Sequence, residues 1–386
     1  MTVEGRTRLT DRQLFLCRSA KAAEKYPIFI PMKPLSLEQR TNTFIRLGRI
    51  FLRAAGEDFS LPSGDEALVS RLTTALPLSR NANPWFDEEN VRRALRGLGS
   101  VLTKEKLQQW TVRYPQLQEE RPPLDVLVIM AGNIPLVGFH DMLSVLITGN
   151  CFLGRTSRRD AGLHREIADI LISLEPAFAP FIRFNRERPE QVDAVIATGS
   201  DNTARYFEYY YKNIPAIIRH NRNSLAVLDG QETKKDLEGL ANDIFWYYGL
   251  GCRSVSMLFV PEGYDLKQLF SYFRQHNHVT NLPAYRHNLD YQRAVFRMSD
   301  TFFLDAGNLL ITKDTALASP IAVLHYQTYK ALKDILTYVG AYVDKIQCLA
   351  TREGLLPDTV PLGKTQFPEV WEYEDGVDTL AFLSEL

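Results

Sequence analysis

Cys252 stands in the stretch Phe245-Trp-Tyr-Tyr-Gly-Leu-Gly-Cys-Arg-Ser-Val-Ser-Met-Leu-Phe-Val-Pro261, between an aromatic run and an apolar one. Gly249 and Gly251 bracket Leu250 just ahead of it. Glycine lets the backbone turn tightly and approach other atoms closely, so the pattern presents a thiol at the mouth of a strand. A thiol held there can attack a carbonyl carbon while its own backbone N–H is aimed at the carbonyl oxygen. Packing as a small buried hydrophobe is the other role open to it. Three further groups of polar residues follow apolar runs. Asn133 lies in Ala131-Gly-Asn-Ile-Pro135, Arg155, Ser157 and Arg158 follow Cys151–Gly154, and Thr198-Gly199-Ser200 follows Val192–Ala197. His220, within Arg219-His-Asn-Arg222, is a side chain able to move a proton near neutral pH.

These residues need elements to carry them. Leu124–Met130 is a nearly continuous apolar run, the mark of a strand covered on both faces. Helical periodicity follows over Leu136–Ile147, Asp160–Leu174 and Asn202–Lys212, with short strands at Cys151–Gly154, Val192–Ala197, Ala216–Arg219 and Ser224–Leu228. Strands alternating with helices of this length predict an α/β fold with a doubly wound, mostly parallel sheet. Ligands in such sheets bind beyond the carboxyl ends of the strands, where Asn133, Arg155 and Ser200 fall. After Cys252 a second α/β unit is predicted, with a strand at Ser256–Val260, helices at Asp265–His276 and His325–Val339, and strands near Phe302 and Ala322. Ahead of Pro122-Pro123 the chain reads as helices without chemistry: Asp11–Lys25, the amphipathic Leu35–Ala55, Gly64–Ala75 and Asp87–Leu98. The expected units are an N-terminal helical segment (1–121), a nucleotide-binding domain (122–245), a catalytic domain carrying Cys252 (246–350) and a C-terminal segment with an oligomerising role (351–386).

Composition removes several classes of function. A net charge of −1 gives no electrostatic footprint for nucleic acid. The four cysteines show no C-x-x-C spacing, so neither a disulfide framework nor a zinc site is expected, and no metal is assigned. No apolar run has the length of a membrane span, and the first residues are too polar for a signal peptide, so a cytoplasmic setting is expected. No strand is followed by G-x-G-x-x-G, which disfavours an ordinary Rossmann dehydrogenase.

Three blocks, in this order, resemble the aldehyde dehydrogenase superfamily. They are Ala131-Gly-Asn133-Ile-Pro135 with Thr148-Gly-Asn150 and Arg155-Thr-Ser157, then Thr198-Gly-Ser200, then Gly251-Cys252. The A-G-N-x-P turn, Ser319-Pro-Ile-Ala-Val323 and the C-terminal Pro361-Leu-Gly363, Gln366-Phe-Pro368, Trp371 and Asp375-Gly376 are similar, more narrowly, to its acyl-CoA reductase branch, the LuxC family. The resemblance implies an aldehyde-dehydrogenase-like fold and NADPH-dependent reduction of an acyl-CoA or acyl-carrier-protein thioester to an aldehyde. Cys252 would be the nucleophile, and Asn133 with the Cys252 N–H would hold the oxyanion. Arg155, Ser157, Thr198, Gly199 and Ser200 would meet the cofactor. Arg158 stands where many NAD-specific relatives carry a glutamate, and a cation there suits a 2′-phosphate. A homo-oligomer is expected, with acyl-transfer enzymes as partners.

Departures from the superfamily pattern bear on the direction of reaction. Its general-base glutamate is expected near Arg219, and Arg219-His220-Asn221-Arg222 occupies that place. A hydrolytic enzyme needs a base to activate water; a thioester reductase does not, so the loss argues for reduction. The glutamate expected near Ala316 at the nicotinamide ribose is missing as well. His220 could serve the Cys252 proton, and Arg219 and Arg222 could meet coenzyme A phosphates. Tyr209–Tyr211 and Phe245–Tyr248 read as aromatic core or, less simply, an acyl tunnel. Two rivals stay open at this point: a cysteine acyltransferase or thioesterase without nicotinamide, and a non-catalytic subunit that binds partner enzymes.

Overall fold

A computed structural model of the chain describes residues 34–157, 162–184 and 191–386. The expected helix Asp11–Lys25, Cys17 and Arg158 lie outside the described residues.

The first sheet has five parallel strands: β1 (Asp125–Ile129), β2 (Cys151–Arg155), β3 (Ile182–Phe184), β4 (Ala194–Thr198) and β5 (Ala216–Arg219). Their order across the sheet is β3-β2-β1-β4-β5. The chain therefore winds outward from β1 through β2 to β3, then returns to place β4 on the other side of β1. That reversal opens a crevice at the carboxyl ends of β1 and β4, where doubly wound sheets bind ligands. Ile129 pairs with Arg155 on one side and Ala197 on the other, so the residues leaving β1, β2 and β4 emerge side by side. Val126, Leu127 and Val128 are fully buried, as the apolar run predicts.

The second sheet has seven strands: β6 (Asn223–Val227), β7 (Val255–Pro261), β8 (Phe303–Asp305), β9 (Leu310–Lys313), β10 (Val323–Tyr329), β11 (Ile346–Thr351) and β12 (Val360–Pro361), in the order β12-β11-β6-β7-β10-β9-β8. All neighbours are parallel except β8 and β9. The change of sheet thus comes between Arg219 and Asn223. Strand β6 and the helix Lys234–Phe245, expected in the first unit, belong to the second. The expected helix over His325–Val339 also divides: Val323–Tyr329 is strand β10, and the helix runs Leu332–Ala341. Lateral pairing with β7 and β9 on both sides overrides the local periodicity there.

Helices Leu37–Ala54, Glu66–Ala82, Glu88–Val101 and Lys104–Thr111 share a core with the first sheet. In the first of them Phe44, Leu47, Ile50 and Phe51 are fully buried, each worth roughly 1.5–3 kcal/mol. The 351–386 stretch sends Val370, Leu380 and Leu383 into that same core. Among the described residues no helix is long and apolar enough to cross a membrane.

Candidate active site

The helix Lys234–Phe245 ends in a sharp, strained passage to Cys252. Tyr247 (φ 54°), Tyr248 (φ 58°) and Gly249 (φ 73°) are consecutive left-handed residues. Glycine adopts that conformation freely, whereas each tyrosine costs on the order of 1–3 kcal/mol and persists only where its surroundings hold it. Here they are held from the N-terminal helices. The Tyr247 N–H donates to Asn90 Oδ1 at 3.1 Å, and the Tyr248 hydroxyl donates to Asp87. Trp85 packs edge-on against the Tyr248 ring, 5.4 Å between centroids. Asp87 is also the N-cap of helix Glu88–Val101, where it accepts the Asn90 N–H at 2.7 Å. A region that reads as chemically silent in the sequence therefore sets the shape of the thiol loop. The left-handed tyrosines were unreadable because only glycine advertises a positive φ.

Cys252 follows, half-buried, before β7. Its carbonyl accepts from Ser224 Oγ at 2.9 Å, and that hydroxyl also lies 3.0 Å from Cys348 Sγ. Asn133 leaves β1 by the Ala131–Pro135 turn, and its side-chain N–H donates to the Leu250 carbonyl at 2.8 Å. The turn after the first sheet is thus tied to the loop of the thiol in the second. A primary amide has two N–H groups, so this bond leaves Asn133 one more to offer. A Cβ on Gly251 would lie 3.7 Å from Ile134 and 3.8 Å from Gln366, which marks two walls of the site. Removal from water pushes the Cys252 thiol up to about 12, the nearby Glu374 and Asp375 carboxylates add to the rise, and Arg253 opposes it. Little thiolate exists at neutral pH without a base.

Arg219 is not placed to meet a coenzyme A phosphate. It is 2% exposed, its Nη1 lies 2.6 Å from Asp141 Oδ2 and 3.4 Å from Glu374 Oε2, and its Nη2 donates to Thr379 Oγ1 at 3.1 Å. Arg222 pairs with Asp375 at 3.1 Å and donates to the Ile346 carbonyl, so it too is engaged within the fold. The carboxylate missing from the 219–222 stretch is supplied from far along the chain: Glu374, a quarter exposed, stands beside Arg219. Burial raises Glu374 to about 7 against the pull of Arg219. His220 is turned elsewhere. Its Nε2 lies 3.1 Å from Glu208 and its Nδ1 3.9 Å from Asp201, both on helix Asp201–Tyr210 rather than on the thiol loop.

Of the residues expected to hold a cofactor, Arg155, Ser157, Thr198, Gly199 and Ser200 are described, and they stand at or just after strand ends of the first sheet. Arg155 closes β2 and is exposed; Ser157 follows it. Thr198 closes β4, the Gly199 N–H donates to the Arg219 carbonyl, and Ser200 is the N-cap of helix Asp201–Tyr210. A Cβ at Gly199 would come within 3.0 Å of Thr203, so only glycine brings backbone this close to the helix start. A glycine turn that leads into a helix N-terminus at a sheet's carboxyl edge suits an anion such as a dinucleotide pyrophosphate. Of the aromatic runs, Phe245, Tyr247, Tyr248 and Tyr211 are core, whereas Tyr209 is 72% exposed and Tyr210 is exposed too.

The family model for acyl-CoA reductase (LuxC) matches residues 73–271, just over half of the chain. No curated protein matches the sequence. Solved structures similar to the chain are aldehyde dehydrogenases. Aldehyde dehydrogenase 21 of Physcomitrella patens, in complex with the product succinate, is 11% identical with a TM-score of 0.59, over 90% of this chain and 88% of that one. The indole-3-acetaldehyde dehydrogenase AldA of P. syringae, in complex with NAD+ and IAA, is 16% identical with a TM-score of 0.55, over 85% and 74%. The aldehyde dehydrogenase KauB of Pseudomonas aeruginosa is 14% identical with a TM-score of 0.54, over 85% and 74%. At such identities the likeness establishes the aldehyde dehydrogenase fold.

Proposed function

The chain belongs to the acyl-CoA reductase (LuxC) family, and on that premise we propose that it reduces an acyl-CoA or acyl-carrier-protein thioester to the aldehyde, with NADPH, through an acyl group carried on Cys252. The observation that carries the reading is the bond from Asn133 to Leu250, which joins the crevice of the first sheet to the loop of the thiol.

In this mechanism the Cys252 sulfur attacks the thioester carbon. The free N–H of Asn133 and the Cys252 N–H receive the charge that develops on oxygen, and the carrier thiol leaves. Arg155, Ser157, Arg158, Thr198, Gly199 and Ser200 hold the dinucleotide. Arg158 gives NADPH its preference by offering a fork-shaped donor to the 2′-phosphate. A nicotinamide held by these residues would supply hydride to the acyl carbon. Asn133 then holds the second oxyanion until the carbon–sulfur bond breaks and Cys252 is free again. His220 faces Glu208 and Asp201 and takes no part in this step. We place the protein in the cytoplasm as a homo-oligomer, from the sparse cysteines without C-x-x-C spacing and the family resemblance respectively.

One experiment tests this. Incubation with acyl-CoA and no nicotinamide is expected to add an acyl mass to the wild type and none to Cys252→Ala, and NADPH then discharges the adduct as aldehyde. Glu374, a partly exposed carboxylate beside Arg219, favours a second reading, in which a carboxylate activates water and the protein is a thioesterase. That reading requires free acid without reductant; such turnover, or an adduct surviving in Cys252→Ala, would overturn the reductase.

A further inference from the structure

At the amino edge of the first sheet, away from the rim, the N-terminal helices and the sheet frame a cavity of about 1050 Å³. Thr148, Gly149 and Asn150, which precede β2, line it, and the Asn150 side chain accepts the Leu124 N–H just ahead of β1. The cofactor residues stand at the other end of the same strands, roughly 16 Å away for five residues at about 3.3 Å each. Arg40 lines the cavity from helix Leu37–Ala54 and is 6% exposed. Of the five N–H groups of its guanidinium, one donates to the Leu117 carbonyl at 3.0 Å, and Nε has no partner. Gly149, left-handed at φ 82°, lets the guanidinium in, since a Cβ there would overlap Arg40 Nη1. Among the described residues no carboxylate pairs with Arg40; the charge it feels is that of Arg121, another cation on the same cavity. Removal from water, and then Arg121, lower Arg40 to about 10, so it stays charged at neutral pH.

A buried cation is ordinarily paired, because a lone charge taken out of water is costly. Arg121 is half-buried and gives Nη1 and Nη2 to the Ser384 and Leu383 carbonyls rather than to an acid. The acids on the cavity, Glu38, Glu119 and Glu120, are all exposed, and Glu119 acts on Arg121 from the mouth. We propose that the cavity is a second binding site, for an organic phosphate whose phosphate group lies between Arg40 and Arg121. A carboxylate has two oxygens, enough for one guanidinium fork. A phosphate monoester has three, with up to two charges, enough to meet both arginines. Arginine suits this task better than lysine, because its planar fork donates to two oxygens at once. The volume suits an organic ester rather than the bare ion, as ligand pockets run to about 300–1000 Å³. Leu35, Phe178 and Phe181 offer its body an apolar wall.

The test titrates the full chain with phenyl phosphate at constant ionic strength and reads hydrogen exchange of residues 34–45 and 117–124 together with Tm. Protection of both segments is expected, with a Tm that climbs with probe concentration, since the probe binds the folded state. Arg40→Met should bind about 10–100-fold more weakly, the loss that follows from a missing charge-assisted hydrogen bond. Arg40→Lys keeps the charge without the fork and should fall between the two. Should Arg40→Met not fold, Arg121→Met takes its place with the same expected loss. Equal protection in the wild type and a folded Arg40→Met overturns the proposal. Protection confined to residues 198–205 does so as well, because it puts the anion at the cofactor rim. Absence of protection at about 10 mM probe has the same force. Benzoate that protects as well as phenyl phosphate would overturn the choice of phosphate. None of these failures touches the reductase reading, which rests on Asn133 and Cys252 at the opposite edge.

Discussion

At the rim of the five-stranded sheet, Arg155, Thr198, Gly199 and Ser200 leave their strands without a single left-handed residue, and Arg155 and Ser200 stay exposed. The loop of Cys252 is the opposite case. It passes through two left-handed tyrosines, is gripped by Asp87 and Asn90 from the N-terminal helices, and meets Gln366 from the C-terminal stretch. The rim is made by local chemistry, a strand end followed by a turn and a helix start. The thiol loop is made by distant parts of the chain holding one another in place. Changes at the rim should therefore alter what binds, and changes around the loop should alter whether the site exists.

The largest expected break in that contrast is Arg219→Met. It leaves Asp141 charged, buried and unpaired, and loss of one partner of a buried pair costs about 3–5 kcal/mol. Denaturant unfolding should show that loss, and a change below about 1 kcal/mol would mean the network does not anchor the fold. Asn133→Ala comes next, with kcat lower by about 10²–10³ as one oxyanion donor is removed. Fluorescence titration should find NADPH binding intact; if binding collapses with the rate, Asn133 is a structural tie to Leu250 and no more. For the cofactor, Arg158→Glu should raise KM for NADPH about ten-fold or more, roughly 1–2 kcal/mol, and spare NADH. An unchanged ratio of the two KM values removes Arg158 from the cofactor site. The smallest effect is expected of Asp87→Ala, about 1 kcal/mol from the lost helix cap. Release of the Tyr248 hydroxyl should also make Cys252 react faster with iodoacetamide. A lower Tm with unchanged reactivity would show that the cap and the loop are independent.

The same contrast explains what could be read from the sequence. Strands β1, β2 and β4 were legible because strands covered on both faces require unbroken apolar runs, and Thr198-Gly-Ser200 announces a strand-to-helix turn within three residues. The grip on Cys252 was not legible. Nothing in Asp87 or Asn90 taken alone distinguishes a helix cap from a clamp on residues far along the chain. Glu374 lies in an ordinary acidic stretch, Glu372-Tyr-Glu374-Asp375, and only the fold shows that it fills the place near Arg219 where the local sequence offers no acid. The helix expected at His325–Val339 failed for a related reason. Residues 325–329 carry both periodicities, and neighbours on each side decided for strand.

The ion pair between Arg219 and Glu374 also orders events in time. A ribosome delivers Arg219 well before the 365–379 stretch, so the growing protein passes through a stage in which the arginine exists while Glu374 does not. Only when the last strands are in place and residues 374–379 fold back onto Arg219 do Glu374 and Thr379 arrive beside it. The buried arginine is then fully partnered only at the end of folding, and a nascent or clipped chain lacking that stretch would leave Arg219 with Asp141 alone of its side-chain partners.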